Sequence, residues 1–266
     1  MKLMEGKKGI IFGVSNKHGI AYAIANQLHE AGAEIAFTYA NEAMEKRVKP
    51  IAEEMNAKMC MECDVTNEEH LQKVFAEYEK IYGKIDFMVH AVAFANREDL
   101  MGEFINTSKD GWNLALGVSS YSLVAMCRNA RPLFSDDASV LALTYLGGEK
   151  MVANYNVMGV AKAALESSAR YLADNLGKDG VRVNCLSAGA VKTLAAKGIG
   201  GFDKMLKAAI LKAPLKRNVS LEDVGKTGLY LLSDLSSGVT GEVVHVDCGC
   251  HCVYSSIDEM DKLTRE

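Results

Sequence analysis

The sequence predicts an α/β fold, a single Rossmann-type, doubly wound parallel sheet of about seven strands with helices on both faces. Short apolar segments alternate with longer segments of helical periodicity along nearly the whole chain. The first strand leads through a glycine-containing loop directly into a helix. No repeat, low-complexity segment or linker interrupts the alternation. We therefore expect one domain over residues 1–254, followed by a polar tail at residues 255–266.

The first strand–loop–helix unit has the features of a phosphate site. Residues 8–13 predict the strand, and Gly13 and Gly19 delimit the loop. From Ile20, apolar residues recur at i, i+3, i+4 and i+7, which predicts a helix that ends at Gly32. This arrangement places backbone N–H groups and a helix N-terminus around a phosphate. The spacing differs from the G-x-G-x-x-G fingerprint, so the loop alone is equally compatible with a unit that binds nothing.

The second strand, predicted over residues 33–39, bears on the choice of nucleotide. Many dinucleotide folds have an acidic residue about 20 positions beyond the last loop glycine, where it binds the adenosine ribose. Here that place is taken by Tyr39-Ala40-Asn41, ahead of a helix predicted over residues 42–55. No Lys or Arg lies at this strand end to bind a 2′-phosphate. The sequence therefore favours NADH over NADPH.

The third and fourth strands are predicted over residues 57–63 and 85–92. Asp64 follows the third strand and can accept a hydrogen bond from an adenine amino group. It can equally cap the helix predicted over residues 67–81, a task that Thr66 can share. The two interpretations stay open on this evidence.

Two tyrosines and a lysine in the middle of the chain suggest chemistry. Residues 140–144 predict a buried strand, so Tyr145 should lie at its carboxyl end, where open α/β sheets bind ligands. A helix is predicted from about residue 154, and seven steps along it separate Tyr155 from Lys162, which puts both on one face about 10 Å apart. A phenol beside an ammonium that favours its ionised form can stabilise an oxyanion or donate a proton. The alternative is that the three residues are neighbours without a shared role.

The last third of the chain completes the sheet and adds a lid. Residues 109–134 predict a helix and residues 181–187 the sixth strand. Three glycines and a short amphipathic helix then predict a flexible substrate lid around residues 192–213. The alternative is a helix packed permanently on the body. A capping-box pattern at Ser220 opens another helix, and the last strand is predicted over residues 242–246.

Composition excludes several classes of protein. The chain is 49% hydrophobic and 24% charged with a formal net charge of −4, so it lacks the basic character of nucleic-acid-binding proteins. No apolar run reaches the roughly 18 residues of a membrane span, and the N-terminal segment does not resemble a signal peptide. We expect a cytoplasmic protein with neither nucleic acid nor membrane as partner.

The seven cysteines do not indicate a disulfide scaffold, because their number is odd and the chain is large. Cys248, Cys250 and Cys252 alternate near His245 and His251, which raises the question of a zinc site. Alternate residues of a strand point to opposite faces, so three such thiols cannot reach one ion without a bend. We expect reduced thiols and no metal.

Together these motifs resemble the short-chain dehydrogenase/reductases, in the divergent branch of the bacterial NADH-dependent type I enoyl-acyl-carrier-protein reductases. The resemblance covers about residues 3–254. The common branch of the superfamily has Tyr-x3-Lys, whereas this chain has Tyr155-x6-Lys162 with Tyr145 ten residues upstream, and Met158 stands where the common tyrosine would be. The flanking segments that agree are SSYS from Ser119, Tyr145-Leu146-Gly147, NYNVMGVAKAALE from Asn154, GVRVN from Gly180, SAG from Ser187 and GEVVHVD from Gly241.

The resemblance implies NADH-dependent reduction of the trans-2 double bond of enoyl-acyl-carrier-protein thioesters, by a homotetramer whose partner is acyl carrier protein. It implies that Tyr145, Tyr155 and Lys162 are catalytic and that Ala95 contacts substrate through its backbone. The positions matched to cofactor binding are Gly13, Gly19, Ile20, Ala40, Asp64, Val65, Val92, Lys162, Val191, Lys192, Thr193, Leu194 and Ala195. Departures from the family pattern are Gly19 for Ser, Ala91 for Ser, Ala93 for Gly, Ala190 for Pro, and Cys248 within a usual glycine pair.

Two other functions are weighed against this one. A carbonyl reductase or alcohol dehydrogenase of the same superfamily would need Tyr-x3-Lys with an upstream serine. A non-catalytic dinucleotide sensor would keep the glycine loop but would have no need of Tyr155 and Lys162.

Overall fold

The computed structural model describes residues 2–191, 193 and 202–254. Within them, seven parallel strands form one sheet in the order β3-β2-β1-β4-β5-β6-β7. The strands are β1 (Lys8–Phe12), β2 (Glu34–Tyr39), β3 (Cys60–Glu62), β4 (Ile85–His90), β5 (Phe134–Thr144), β6 (Arg182–Ala188) and β7 (Val243–Val246). The predicted fold is confirmed. The strand order reverses between β1 and β4, the kind of position where such sheets bind ligands.

Helices connect the strands and cover both faces of the sheet. They are α1 (Ile20–Glu30), α2 (Glu42–Glu54), α3 (Glu68–Tyr82), α4 (Arg97–Leu100), α5 (Lys109–Leu116), α6 (Ser122–Ala130), α7 (Val157–Gly177), α8 (Phe202–Lys212) and α9 (Leu221–Leu232). The capping box predicted at Ser220 is present, since its side chain accepts from the Asp223 N–H while the Asp223 carboxylate accepts from the Ser220 N–H.

Alternate residues of the central strands divide the core into two halves. Ile10 and Phe12 of β1 pack in the half covered by α3, α6 and α7. Ile11, between them, packs in the half covered by α1, α2 and α9. Each strand therefore has apolar residues on both faces, which explains why the sequence shows continuous apolar runs rather than alternation.

The structure corrects the predicted bounds in the middle of the chain. The helix predicted over residues 109–134 is interrupted by a π-helical turn at Gly117–Tyr121 and ends at Ala130. Pro132 lies in the short 3-10 turn that follows, where a regular helix cannot continue. The fifth strand begins at Phe134, earlier than predicted, because its first part carries exposed acidic residues that hide the apolar pattern.

In the part of the chain that the structure describes, every helix falls short of the length or the hydropathy that spanning a bilayer requires. No disulfide joins the seven cysteines, all of which lie in the described residues. Burial raises the pKa of Cys63, Cys127 and Cys185 to about 12, so these thiols stay protonated. They pack as small apolar side chains in the half of the core beneath α3, α6 and α7.

Candidate active site

The backbone of the loop after β1 lies very close to the residues that follow β4. Gly13 has φ +96°, and a side chain there would collide with the carbonyl of Ala91 just beyond β4. Gly19 is the N-cap of α1 without a side-chain cap, and Ile20 is the first helical residue. The N-terminal N–H groups of α1 therefore open onto the carboxyl edge of the sheet, an arrangement that fits a pyrophosphate.

Two candidate adenosine residues are exposed at neighbouring strand ends. Ala40 follows β2 and Asp64 follows β3, and both are solvent-exposed, while Val65 is buried. Asp64 Oδ1 accepts hydrogen bonds from the Thr66 N–H at 2.9 Å and the Thr66 hydroxyl at 2.7 Å. The cap of α3 is Asn67, whose Oδ1 accepts from Glu69 and His70. The capping role suggested for Asp64 and Thr66 is therefore wrong, because Asn67 occupies the N-cap position.

The remaining candidate binding residues lie along the same edge. Val92 is partly buried just beyond β4, and Ala95, three residues later, is partly buried as well. Val191 packs at the rim of the core beyond β6, and Thr193 is partly buried. Lys192, Leu194 and Ala195 lie outside the described residues, as does the lid segment before Phe202. Beyond it, α8 is present with Leu206 buried and Ile210 exposed.

The two candidate catalytic tyrosines contact each other at the end of β5. Tyr145 follows the last strand residue directly. Its ring centroid lies 5.0 Å from that of Tyr155, with the rings inclined at 70°. Tyr155 also packs, as Ala95 does, against a small cluster formed by Ala115, Val157, Met158 and Ala161. The structure thus brings both tyrosines and the candidate substrate residue together.

The prediction that Tyr155 and Lys162 lie on one face of the same helix is wrong. Helix α7 begins at Val157, so Tyr155 lies in the turn before it. Asn154 and Asn156, on either side of Tyr155, have φ of +61° and +39°. Asparagine is one of the few residues other than glycine that adopt such angles readily, and unusual backbone of this kind concentrates at functional sites.

Glycines let a neighbouring turn pack beneath the tyrosine rings. The 3-10 turn Leu146–Gly148 follows Tyr145. A Cβ on Gly147 would lie 2.7 Å from Cε1 of Tyr155, and a Cβ on Gly159 would lie 2.8 Å from the carbonyl oxygen of Gly147. Larger residues at either position would push the turn away from α7 and displace Tyr155.

Lys162 is a buried residue of α7, with 5% of its surface exposed. Its ammonium donates a hydrogen bond of 2.6 Å to the carbonyl oxygen of Leu143 in β5. Burial lowers the pKa of Lys162 to about 8. Burial also raises the pKa of Tyr155, reinforced by Tyr145 and Glu166. The expectation that the ammonium favours an ionised phenol is therefore wrong here; Tyr155 stays protonated and is a hydrogen-bond donor.

The sequence reasoning missed two buried polar pairs near Lys162. The hydroxyl of Thr144 donates to Oε1 of Glu166 at 2.5 Å. His90 Nε2 lies 2.7 Å from the hydroxyl of Ser122, and burial, with the nearby ammonium of Lys162, lowers the pKa of His90 to about 3. The i, i+4 spacing of Lys162 and Glu166 was the feature of the sequence that could have indicated Glu166 as a neighbour of Lys162.

A cavity of about 190 Å³ opens beside Tyr145 at the carboxyl ends of β5, β6 and β7. Its walls are mainly small residues from the end of β6 and from Ala208 and Ala209 of α8. Lys212, Arg217 and Asp247 give it one charged side. A space with apolar walls and one polar side suits a small acyl group rather than a nucleic acid.

The cysteine and histidine cluster after β7 does not have the geometry of a metal site. Cys250–Cys252 form a 3-10 turn rather than a strand. His245 pairs with Glu149 at 2.6 Å, and His251 pairs with Asp247 at 2.9 Å. Among the described residues, no group of three His, Cys, Asp or Glu side chains is placed to hold an ion.

Comparison with known proteins agrees with this geometry over nearly the whole chain. A family model described as enoyl-(acyl carrier protein) reductase matches residues 13–251. The chain is 54% identical over 260 residues to enoyl-acyl-carrier-protein reductase (NADH) 1 of Rhizobium meliloti (strain 1021), a match that covers 97% of this chain and 96% of that relative.

Solved structures of similar proteins superpose closely. The Bacillus cereus enoyl-acyl carrier protein reductase, crystallised with NADP+ and an indole naphthyridinone, matches with a TM-score of 0.93 and 47% identity over 96% of this chain and 100% of that one. The Anaplasma phagocytophilum enoyl-(acyl-carrier-protein) reductase in complex with NAD matches with a TM-score of 0.91 and 45% identity over 97% of this chain and 96% of that one.

Proposed function

The chain belongs to the enoyl-acyl-carrier-protein reductase family and is an NADH-dependent oxidoreductase, and we propose that Tyr145, Tyr155 and Lys162 form its catalytic centre. It reduces the trans-2 double bond of enoyl-acyl-carrier-protein thioesters to acyl thioesters, a step of fatty acid elongation. The observation that carries the proposal is the packing of both tyrosine rings at the end of β5, where the buried Lys162 binds the Leu143 carbonyl oxygen two residues before Tyr145.

Tyr155 stabilises the charge that develops on the substrate. When bound, NADH supplies the hydride that is added to the β-carbon of the enoyl thioester. Negative charge then builds on the thioester carbonyl oxygen, and the Tyr155 hydroxyl donates a hydrogen bond to it. A proton added at the α-carbon, from Tyr155 or from water, completes the reduction to the acyl thioester. A donor aimed at a developing oxyanion contributes about 10²–10³ in rate. Burial keeps this phenol protonated at neutral pH, which is the form that the role requires.

Lys162 and Tyr145 position the reactants. The Lys162 ammonium, held at the carbonyl of Leu143, binds the nicotinamide ribose hydroxyls and helps to orient Tyr155. Tyr145 forms the wall of the cavity and orients the thioester. Ala95, packed on the same small cluster as Tyr155, contacts the substrate through its backbone.

The glycine loop and the strand ends hold the dinucleotide. The pyrophosphate is bound by Gly13, Gly19 and Ile20, and adenine by Asp64 and Val65. The ribose side is bound by Ala40 and Val92. The nicotinamide amide is contacted by the segment from Val191 to residue 195. The fit at the loop rests on Gly13, where a side chain would fill the approach to β4. The basic residues nearest to the second strand end, Lys46 and Arg47, lie a turn into α2 and not at the strand end itself. This arrangement favours NADH over NADPH.

Acyl carrier protein delivers the substrate to the lid side of the cavity. Lys204 and Lys207 on α8 are exposed and give this side basic character that suits an acidic carrier; Lys192 and Lys197 lie outside the described residues. Turnover with carrier-bound substrate should fall as salt rises, whereas turnover with a small thioester should change little. Equal salt responses of the two substrates would argue against the contact.

We also propose that the protein is a homotetramer and that it is cytoplasmic. The tetramer rests on the resemblance to the family. Light scattering after size-exclusion chromatography of the purified chain measures its mass, and a monomeric mass would exclude the tetramer.

An NADH-consumption assay tests the reaction. Crotonyl thioester should be reduced, and simple ketones should not be. Consumption with ketones alone would indicate a carbonyl reductase instead. Binding of NADH without consumption of either compound would indicate a sensor.

A further inference from the structure

A buried carboxylate lies one helical turn beyond the lysine of the site. Glu166 follows Lys162 by four positions on α7, so the two side chains leave the same helix face with Cβ atoms about 5–6 Å apart. Both residues are 5% exposed. Charged residues are rarely this buried unless they are compensated, so the pair requires an explanation.

The Glu166 carboxylate contacts the chain on both sides of Tyr145. Its Oε1 accepts the Thr144 hydroxyl at 2.5 Å, immediately before Tyr145. On the other side, a Cβ added to Gly148 would lie 2.6 Å from the same oxygen, so the 3-10 turn rests directly on the carboxylate. One side chain of α7 thereby fixes the segment that carries Tyr145.

The same side chain favours the ammonium form of Lys162 from the next turn of α7. Burial lowers the pKa of Lys162, and Cys185 and Glu166 oppose that effect. The Cys185 thiol has its own pKa raised to about 12, so it is neutral at pH 7–8 and provides no charge there. His90, which also faces Lys162, is neutral because burial lowers its pKa to about 3. Of the groups that raise the pKa of Lys162, Glu166 is therefore the one placed to favour the ammonium.

Some of the groups around Glu166 favour the neutral form of its carboxyl, and others favour the ionised form. Burial raises the pKa of Glu166, and the hydrogen bond from Thr144 lowers it. Glu149 raises this pKa further, whereas His245 and Arg170 lower it. Burial is the largest of these effects, so the pKa of Glu166 lies above its usual value, while the Thr144 hydroxyl and the two basic side chains favour the ionised form.

We propose that Glu166 is a positioning residue of the reduction, which holds the Tyr145 segment through Thr144 and serves as the buried counter-ion of Lys162. It acts through those residues and touches neither substrate nor cofactor. The inference rests on the proposed roles of Tyr145 and Lys162.

The pH profile of Glu166→Gln tests the counter-ion role. The wild-type enzyme should lose activity above about pH 8, where the Lys162 ammonium is deprotonated. Without the carboxylate, the ammonium is less favoured, its pKa falls, and the alkaline limb moves to lower pH by about 1 unit or more. Asp174→Asn removes an exposed carboxylate from the same helix, twelve residues from Lys162, and should leave the limb in place.

Substitutions at Thr144 test the positioning role separately, and they also serve if Glu166→Gln does not fold. Thr144→Val keeps the shape but removes the donor, so kcat with crotonyl thioester should fall about tenfold through misplacement of Tyr145. Thr144→Ser restores the hydroxyl and should restore kcat. Thermal unfolding of each variant establishes that the comparison is made between folded proteins.

The outcomes for the function and for the inference are distinct. A wild-type enzyme that does not reduce crotonyl thioester with NADH would defeat the proposed function. An active wild-type enzyme whose pH profile coincides with that of folded Glu166→Gln would overturn the counter-ion role. Equal kcat for Thr144→Val and wild type would overturn the positioning role.

Discussion

The two ends of the candidate binding edge are built in different ways. At the phosphate and adenosine end, the contacts come from backbone and exposed residues, as at Gly13, Gly19 and Ala40. At the catalytic end, buried polar side chains hold one another, and Lys162 and Glu166 are both almost fully enclosed. The first end is a surface that a nucleotide can lie on, whereas the second is a network whose members depend on each other.

This contrast accounts for one departure from the family pattern, at Gly19. Gly19 replaces a usual serine in the loop, where backbone N–H groups and a helix terminus remain in place without the hydroxyl. At the catalytic end, Tyr145, Tyr155 and Lys162 are all retained. A site made of backbone tolerates a change of side chain, but a site made of side chains does not.

The largest effect should come from the donor at the catalytic end. Tyr155→Phe removes one hydroxyl and should slow kcat by about 10²–10³, or ~3–4 kcal/mol, while NADH still binds. Tyr171→Phe is a matched control, because Tyr171 is 72% exposed on α7. Steady-state kinetics and NADH titration measure both. Unchanged turnover in Tyr155→Phe would remove that residue from the chemistry.

A substitution that displaces Tyr155 without removing it should lower kcat nearly as much. Gly147→Ala places a Cβ against the Tyr155 ring, and a shift of about 1 Å at a reacting group can cost about 10²-fold in rate. Gly177→Ala makes the same change near the end of α7, where no atom lies within 4 Å of the new Cβ. Wild-type kcat in a folded Gly147→Ala protein would show that the turn does not position Tyr155.

At the phosphate end, a substitution should improve binding. Gly19→Ser adds a hydroxyl at the N-cap of α1, where its Cβ would lie 3.3 Å from the Asn16 carbonyl oxygen. A hydrogen bond to a charged phosphate contributes about 1.5 kcal/mol, so the KM for NADH should fall about tenfold with kcat unchanged. Gly238→Ser, at an exposed position with open space, is the control. A raised KM would mean that the loop cannot accept the side chain.

The smallest effect concerns backbone strain after β7. Cys248 has φ +59°, an angle that glycine adopts without cost. Cys248→Gly should raise the free energy of unfolding by about 1 kcal/mol, or Tm by about 2–4 °C. Cys252→Gly lies at ordinary φ and should give no gain. A lower Tm for Cys248→Gly would show that packing of the thiol outweighs the strain.

Local sequence signals were sufficient for most of the fold and for part of the site. The apolar runs of β1, β2 and β6 and the helical repeat of α1 identify their elements because each obeys its own period. The fifth strand was predicted too short, because Asp136 and Asp137 are exposed within it. The start of α7 was predicted too early, because the hydrophobic periodicity does not reveal the positive φ angles of Asn154 and Asn156.

The sequence by itself determined the doubly wound sheet, the loop at its first strand and the identity of the tyrosines and the lysine. Periodicity, glycine placement and residue spacing are local properties, so they can be recognised along the chain. Only the tertiary structure decided that Tyr155 precedes its helix, that Lys162 is bound to Leu143, and that burial sets their protonation states. Burial and long-range contacts arise when distant segments pack, and no local pattern specifies them.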